Sequence, residues 1–209
     1  PAFMAVGLTG PAEAIYLFYS FLCHQLPQRS FFLFGHKASY SLAEIGIAYS
    51  YDNFFSLRQF IGNEAMGWKV AWSDRMVALY GSIWVGGIVY AIFRQRLPRL
   101  SPLAWLLLAV VPMGVDGVTH MINDAIAGIS GTGFRDTNAW LQTLTGNIFP
   151  AKFYAGDALG SFNNLARFVT GALTGLTTVW FVYPFIEFAM QDVERIAAEL
   201  GFTQRIANE

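Results

Sequence analysis

The sequence predicts an all-α, polytopic helical membrane protein with about four membrane-associated helical segments and an extracytoplasmic cap of loops and helices. Three observations predict it. The 209-residue chain is 55% hydrophobic and only 13% charged, about half the charged share of an ordinary soluble domain. Nineteen Phe and six Trp supply the aromatic side chains that collect at membrane–water interfaces. Three apolar stretches are long enough to cross a hydrocarbon core, which takes about 20 residues. The formal net charge of −1 and the lack of a basic run argue against nucleic acid as a partner, because phosphate binding needs clustered Lys and Arg. The expected partners are the lipid bilayer and other membrane-protein subunits. The expected location is the inner (cytoplasmic) membrane of a bacterial cell, with multi-pass topology.

The elements follow in order. Pro1 opens the chain inside the apolar stretch Ala2-Phe3-Met4-Ala5-Val6, and nothing before Gly10 has the charged start of a signal peptide. Residues 1–22, which include Glu13, read as a partial or bent span, or as an interfacial helix after an incompletely represented span. The first clear span covers about 76–93, through Ile88-Val89-Tyr90-Ala91-Ile92. The second covers 102–122, with Leu103-Ala104-Trp105-Leu106-Leu107-Leu108 as its driest part. The third covers 168–188 and ends in Trp180-Phe181-Val182-Tyr183-Pro184-Phe185. Residues 1–190 thus form one helical membrane domain. The tail 191–209 carries Val193, Ile196, Ala197 and Leu200 on one stripe before Gly201, the pattern of a short amphipathic helix.

Orientation follows from Arg94, Arg96 and Arg99, three arginines and no acid in a short loop. The positive-inside rule places that loop, and with it the tail, in the cytoplasm. Segments 24–75 and 123–167 then share the opposite face. Gly171 and Gly175 form a GxxxG pair, and Ser82 with Gly86 a second small-xxx-small pair; both read first as intramolecular packing. A short echo, Asn138-Ala139-Trp140-Leu141 to Thr145-Gly146 against Asn163-Asn164-Leu165-Ala166 to Thr170-Gly171, suggests a helix over 137–148. Gly156 and Asp157 mark a turn.

This topology gathers polar residues at one depth. Cys23, His24, Gln25 and Arg29 end the first apolar segment, and Asp74 and Arg75 open the next. Asp116 and His120, four residues apart, share a helical face with Asn123 a turn further on. Asn163, Asn164 and Arg167 begin the last span. A carboxylate in a membrane costs about 2.5–3.5 kcal/mol unless paired or hydrated, so Asp116 needs a counterion, for which Arg75 and Arg167 are the candidates. The first expectation is a structural polar cluster of Arg29, Arg75, Asp116, His120, Asn123, Asn164 and Arg167.

Other chemistries find less support. Cys23, His24, Asp116 and His120 are the candidate metal ligands by type, but Cys23 and His24 are sequence neighbours and do not face one way on a helix. For a cofactor such as haem or quinone the candidates are Cys23, His24, Gln25 and His120; which cofactor, if any, the sequence does not specify. A proton or ion path needs ionisable groups in series, and only Asp116 lies deep. No residue is assigned a catalytic role, since no nucleophile motif and no phosphate-cradling glycine loop is present; the sequence leans away from an enzyme.

The stretch Phe21-Leu22-Cys23-His24-Gln25-Leu26-Pro27-Gln28-Arg29-Ser30-Phe31-Phe32-Leu33-Phe34-Gly35 resembles an uncharacterised family of bacterial and archaeal predicted membrane proteins with a Cys-His-Gln…Arg-Ser motif, classed as a domain of unknown function. The resemblance continues through Gly67-Trp68-Lys69-Val70-Ala71, Arg75 to Gly81, Pro112 to Thr119, and Arg167 to Gly171. It implies a small helical membrane protein and no particular activity. Two departures matter. Where that family carries a second cysteine-containing motif, this chain reads Trp72-Ser73-Asp74, and its Asp-Gly-x-Thr is followed by His120 rather than Gln. If the family uses paired cysteines, the missing motif lowers an enzymatic reading. The leading expectation is a non-catalytic accessory or structural subunit of a larger bacterial membrane complex, such as an energy-converting one. The alternatives are a metal-, haem- or quinone-binding membrane protein and a small-solute or ion transporter.

Overall fold

Gly7, with φ +81°, breaks the N-terminal apolar stretch into two short helices, α1 (Ala2–Ala5) and α2 (Thr9–Ser20). Twelve residues of helix reach about 18 Å, well short of the ~30 Å hydrocarbon core. Residues 1–22 therefore contain no full-length span, and the count of about four segments becomes three long helices. The computed structural model describes residues 1–94, 96, 97 and 99–199. Among the described residues, three helices are long and apolar enough to cross a membrane.

Before the first of them the chain builds a small sheet, which corrects the all-α expectation. Strands β1 (Ser30–Leu33), β2 (Gly62–Asn63) and β3 (Gly67–Ser73) pair antiparallel in the order β1-β3-β2. Residues 67–73 read Gly-Trp-Lys-Val-Ala-Trp-Ser, and the buried members Gly67, Lys69 and Ala71 alternate with half-buried neighbours, the period of a strand with one buried face. The signal is short and carries a lysine at a buried position, which conceals it from a hydropathy scan. Gly67 sits at φ +76° against the Leu33 carbonyl, so β3 lies this close to β1 only at a residue without a side chain. Helices α3 (Leu42–Ala48) and α4 (Phe54–Gln59) cover the sheet. Each starts with a reciprocal cap, Ser41 with Glu44 and Asn53 with Ser56. Leu26, Phe32, Tyr40, Ile45, Leu57, Phe60 and Met66 form the core beneath them.

α5 (Asp74–Phe93) leaves the sheet directly from β3. The next long helix comprises α6 (Pro102–Trp105), a wide π turn (Leu106–Val110) and α7 (Val111–Ala127). Pro112 has no N–H to return to Leu108 and its ring crowds that carbonyl, so the turn ahead of it opens. Thr174 donates to the Ala109 carbonyl there, at 3.1 Å. Short helices α8 (Phe134–Thr137), α9 (Ala139–Thr145) and α10 (Ala151–Tyr154) follow, then α11 (Phe162–Glu199) with Pro184 inside it. α9 occupies the place expected of a helix over 137–148, ending at Gly146 with φ +59°, and Gly156 turns at φ +70°.

α5 and α11 pack most closely. A side chain at Gly171 would strike the Arg75 carbonyl, and one at Gly175 would strike Ser82 Oγ. The two small-xxx-small pairs thus meet each other within one chain. Gly86 adds a third close approach, to Leu176 and Val179. Residues 191–199 continue α11 rather than starting a separate helix. Leu200 and Gly201, and the rest of the expected tail, lie outside the described residues.

Candidate functional site: a buried ion-pair network

Asp74 opens α5, Asp116 to Asp124 lie in the second half of the long helix Pro102–Ala127, and Arg167 is in the first two turns of α11. The sheet and the short helices of 128–161 join the three helices at this same end. The charged residues meet here.

Arg167 grips Asp74 through Nε and Nη2, each 2.8 Å from a carboxylate oxygen, and sends Nη1 to Asp157. Asn164 adds 2.7 Å to Asp74 Oδ2. Asp157 bridges back to Arg29, whose Nε lies 2.8 Å from its Oδ2. Arg29 also holds Asp124 with a two-pronged pair, 2.7 Å at each nitrogen, the fork geometry that suits a guanidinium to a carboxylate. The Pro27–Arg29 turn aims that guanidinium, since Pro27 sits at the first helical position and Ser30 enters β1.

A second knot surrounds Asp116. Arg75 Nη2 donates to its Oδ2 at 2.6 Å, and Arg135 Nη2 to its Oδ1 at 2.7 Å. The same Arg135 nitrogen lies 3.0 Å from His120 Nε2. A guanidinium can only donate, so His120 Nε2 accepts and the ring is the neutral tautomer with its hydrogen on Nδ1. Arg135 packs over the Phe162 ring, 5.5 Å to its centre. Its segment is pinned by Asn123 Oδ1 on the Arg135 amide at 2.8 Å, and by Asn138 and Asn163 on the Arg135 carbonyl at 2.7 and 2.6 Å. Asn138 holds φ +43° to reach it, a conformation Asn tolerates better than most residues.

Electrostatics favour the ionised forms of Asp157 and Arg29. Burial alone would raise the Asp157 carboxyl, but Arg29 and Arg167 outweigh it and hold it well below the usual carboxylate range. For Arg29, burial works against the charge, and the Asp157 and Asp124 carboxylates raise the guanidinium's pKa in spite of it. Arg135 goes the other way: burial lowers its pKa, although Asp116 and Asp157 pull it up. Three donors at the Asp116 knot, Arg75 Nε, Arg135 Nε and His120 Nδ1, are buried with no acceptor among the described residues.

The residues singled out from the sequence divide into two groups. Arg29, Arg75, Asp116, His120, Asn123, Asn164 and Arg167 lie in or beside this network. Cys23 and His24 do not: His24 is exposed, Cys23 is half-buried, and among the described residues neither side chain bonds to Asp116 or His120. Among the described residues, no three His, Cys, Asp or Glu are placed to hold a metal ion. Gln25 turns instead through φ +52°, with its Nε2 on the Tyr16 carbonyl at 2.8 Å. Its own carbonyl receives Lys69 Nζ at 2.9 Å, and the Arg58 carbonyl receives it too. Lys69 is 1% exposed. Burial, then the nearby Arg58 charge, lowers its pKa to about 7.

Sequence reasoning missed Arg135, Asp124, Asp157 and Lys69 as members of buried networks. Asp124 had a findable signal, eight residues beyond Asp116 and so on the same side of the helix. Asp116's counterions are Arg75 and Arg135; Arg167, the other candidate, pairs with Asp74 and Asp157 instead.

Three long apolar helices carrying such a network define an integral membrane protein in contact with lipid. The family described as "Predicted membrane protein (DUF2085)" matches residues 58–156. That match begins after the Cys23–Ser30 stretch. The chain is also similar to an uncharacterised protein of the archaeon Methanocaldococcus jannaschii, 28% identical over 171 residues that cover 81% of this chain and 67% of the relative. No solved structure matches it.

Proposed function

We propose that the protein is a non-catalytic, multi-pass subunit of a larger bacterial inner-membrane complex, of the uncharacterised family it resembles, and that its ion-pair network locks the extracytoplasmic cap onto three spans. The carrying observation is that Asp74, Asp116, Asp124 and Asp157 are each engaged by a guanidinium. Such an arrangement ties up these four carboxylates and opposes a proton route through them. His120 fits the same reading, because its acceptor nitrogen is occupied by Arg135.

The apolar surface supports a partner. Within the most apolar windows of α5 and of 102–127, only 11% of residues are buried inside the chain. In the cap, Ile47, Phe55, Leu144 and Ile148 are also exposed, beyond the reach of an explanation from span–lipid contact alone. Gentle solubilisation followed by sizing and peptide identification tests this. The expected result is one defined complex containing this chain and a recurring second protein in fixed ratio. A lone monomer under every mild condition would end the subunit reading.

A further inference from the structure

We propose a second site, independent of the subunit role: a groove on α7 that holds one chain of an anionic phospholipid, with the lipid phosphate on Arg75. The groove has a volume of about 410 Å³ and is lined almost wholly by apolar side chains. Val110, Gly114, Gly117 and Met121 line one stripe of it, spaced four, three and four residues apart, as one helical face requires. The two glycines hollow the middle of that stripe, and Met113 and Ala109 border it. The widened turn at Leu106–Val110 sets its far end, where Thr174 crosses from α11.

Arg75 is the charged member of the lining. It spends Nη2 on Asp116, and its Nε is buried away from the groove with no acceptor among the described residues. Its Nη1 lies against Gly117, where a Cβ would stand 3.3 Å away. A donor-rich cation therefore stands over an apolar trough, the arrangement an acceptor head with a hydrocarbon tail fits.

The charge distribution selects an anionic head. Asp116 is shared by two guanidiniums, those of Arg75 and Arg135, and His120 beside them is neutral by its hydrogen bonding. Around Arg29 and Arg167 the balance reverses, since Asp74, Asp124 and Asp157 share those two. The charge that borders the groove is that of Arg75, whose carboxylate partner is shared with Arg135, while Asp136 is held by Asn123 and Gly133 outside the lining. A phosphate there accepts from Arg75, and the lipid chain runs from Gly117 toward Ala109, about 12 Å along the helix at 1.5 Å per residue.

The test is native mass spectrometry of the full chain in detergent, with dioleoyl phosphatidylglycerol, dioleoyl phosphatidylcholine or a short-chain ubiquinone added separately. One phosphatidylglycerol per chain should survive activation that strips phosphatidylcholine. Arg75→Gln should reduce that preference about fivefold, as expected for one arginine near a lipid headgroup. Because Arg75→Gln also loosens Asp116, Gly114→Leu is the second variant: a Cβ there meets nothing within 4 Å, so the helix accepts it while the trough fills. It should abolish the retained lipid. Equal retention of both phospholipids, preferential retention of the quinone, or unchanged retention in a folded Gly114→Leu protein would each overturn the proposal.

Discussion

Asp157→Asn is expected to cost about 3–5 kcal/mol of stability, the usual penalty for removing one partner from a buried ion pair. The reason is position. Asp157 stands between Arg29 and Arg167 and bonds both, so its neutralisation leaves two buried guanidiniums sharing fewer carboxylates. Asparagine keeps the shape and one acceptor, which isolates charge as the cause. Thermal melting in detergent measures it, with a large drop expected at neutral pH. Because the carboxyl is held below its ordinary range, its contribution is fully present above about pH 4 and is lost only as pH falls through the depressed native value. Wild type and variant should therefore converge in strong acid. A variant that melts with wild type at pH 7 would show the pair to be incidental.

Lys69 yields the second large effect, with the same direction of pH but in an alkaline window. Its amine is buried against the Gln25 and Arg58 carbonyls, and its pKa falls to about 7 in the folded chain from about 10.4 when unfolded. Between those values the unfolded chain binds more protons, so stability should rise with pH, by about 1.4 kcal/mol per unit. Below pH 7 both states hold the proton and this contribution is flat. Melting followed from pH 6 to pH 9.5 should show that rise in the parent. Lys69→Gln, which keeps a donor for the carbonyls and does not titrate, should flatten it. A parent profile already flat over that interval would mean that Lys69 keeps its proton at an ordinary pKa.

What the sequence made legible depends on where each residue sits. Arg75, Asp116, His120, Asn123 and Arg167 could be placed together because they lie on long apolar helices, where spacing fixes both face and depth. Arg135 and Asp157 could not, because their positions come from short helices and turns held by tertiary bonds: Asn138 in a left-handed conformation, Asn163 reaching 2.6 Å to the Arg135 carbonyl, and the turn at Gly156. The sheet escaped for a related reason. β3 hides its alternation behind a buried lysine, and its pairing with β1 depends on the contact of Gly67 with Leu33, distant in sequence. Cys23 and His24, the most conspicuous pair in the sequence, lie beside the Gln25 turn rather than in the charged network. Their neighbour Gln25 carries the structural role, through its backbone carbonyl.

The Asp74–Arg167 pair tests most directly whether the polar end of the molecule is a lock. A double-mutant cycle with Asp74→Asn and Arg167→Met, read by reversible unfolding in mixed micelles, measures their coupling. If the network holds the cap to the helices, the coupling should be about 2–3 kcal/mol, the upper part of the range for residues in one network. Two changes that simply add, within about 0.5 kcal/mol, would contradict a lock and return these charges to candidates for a working site.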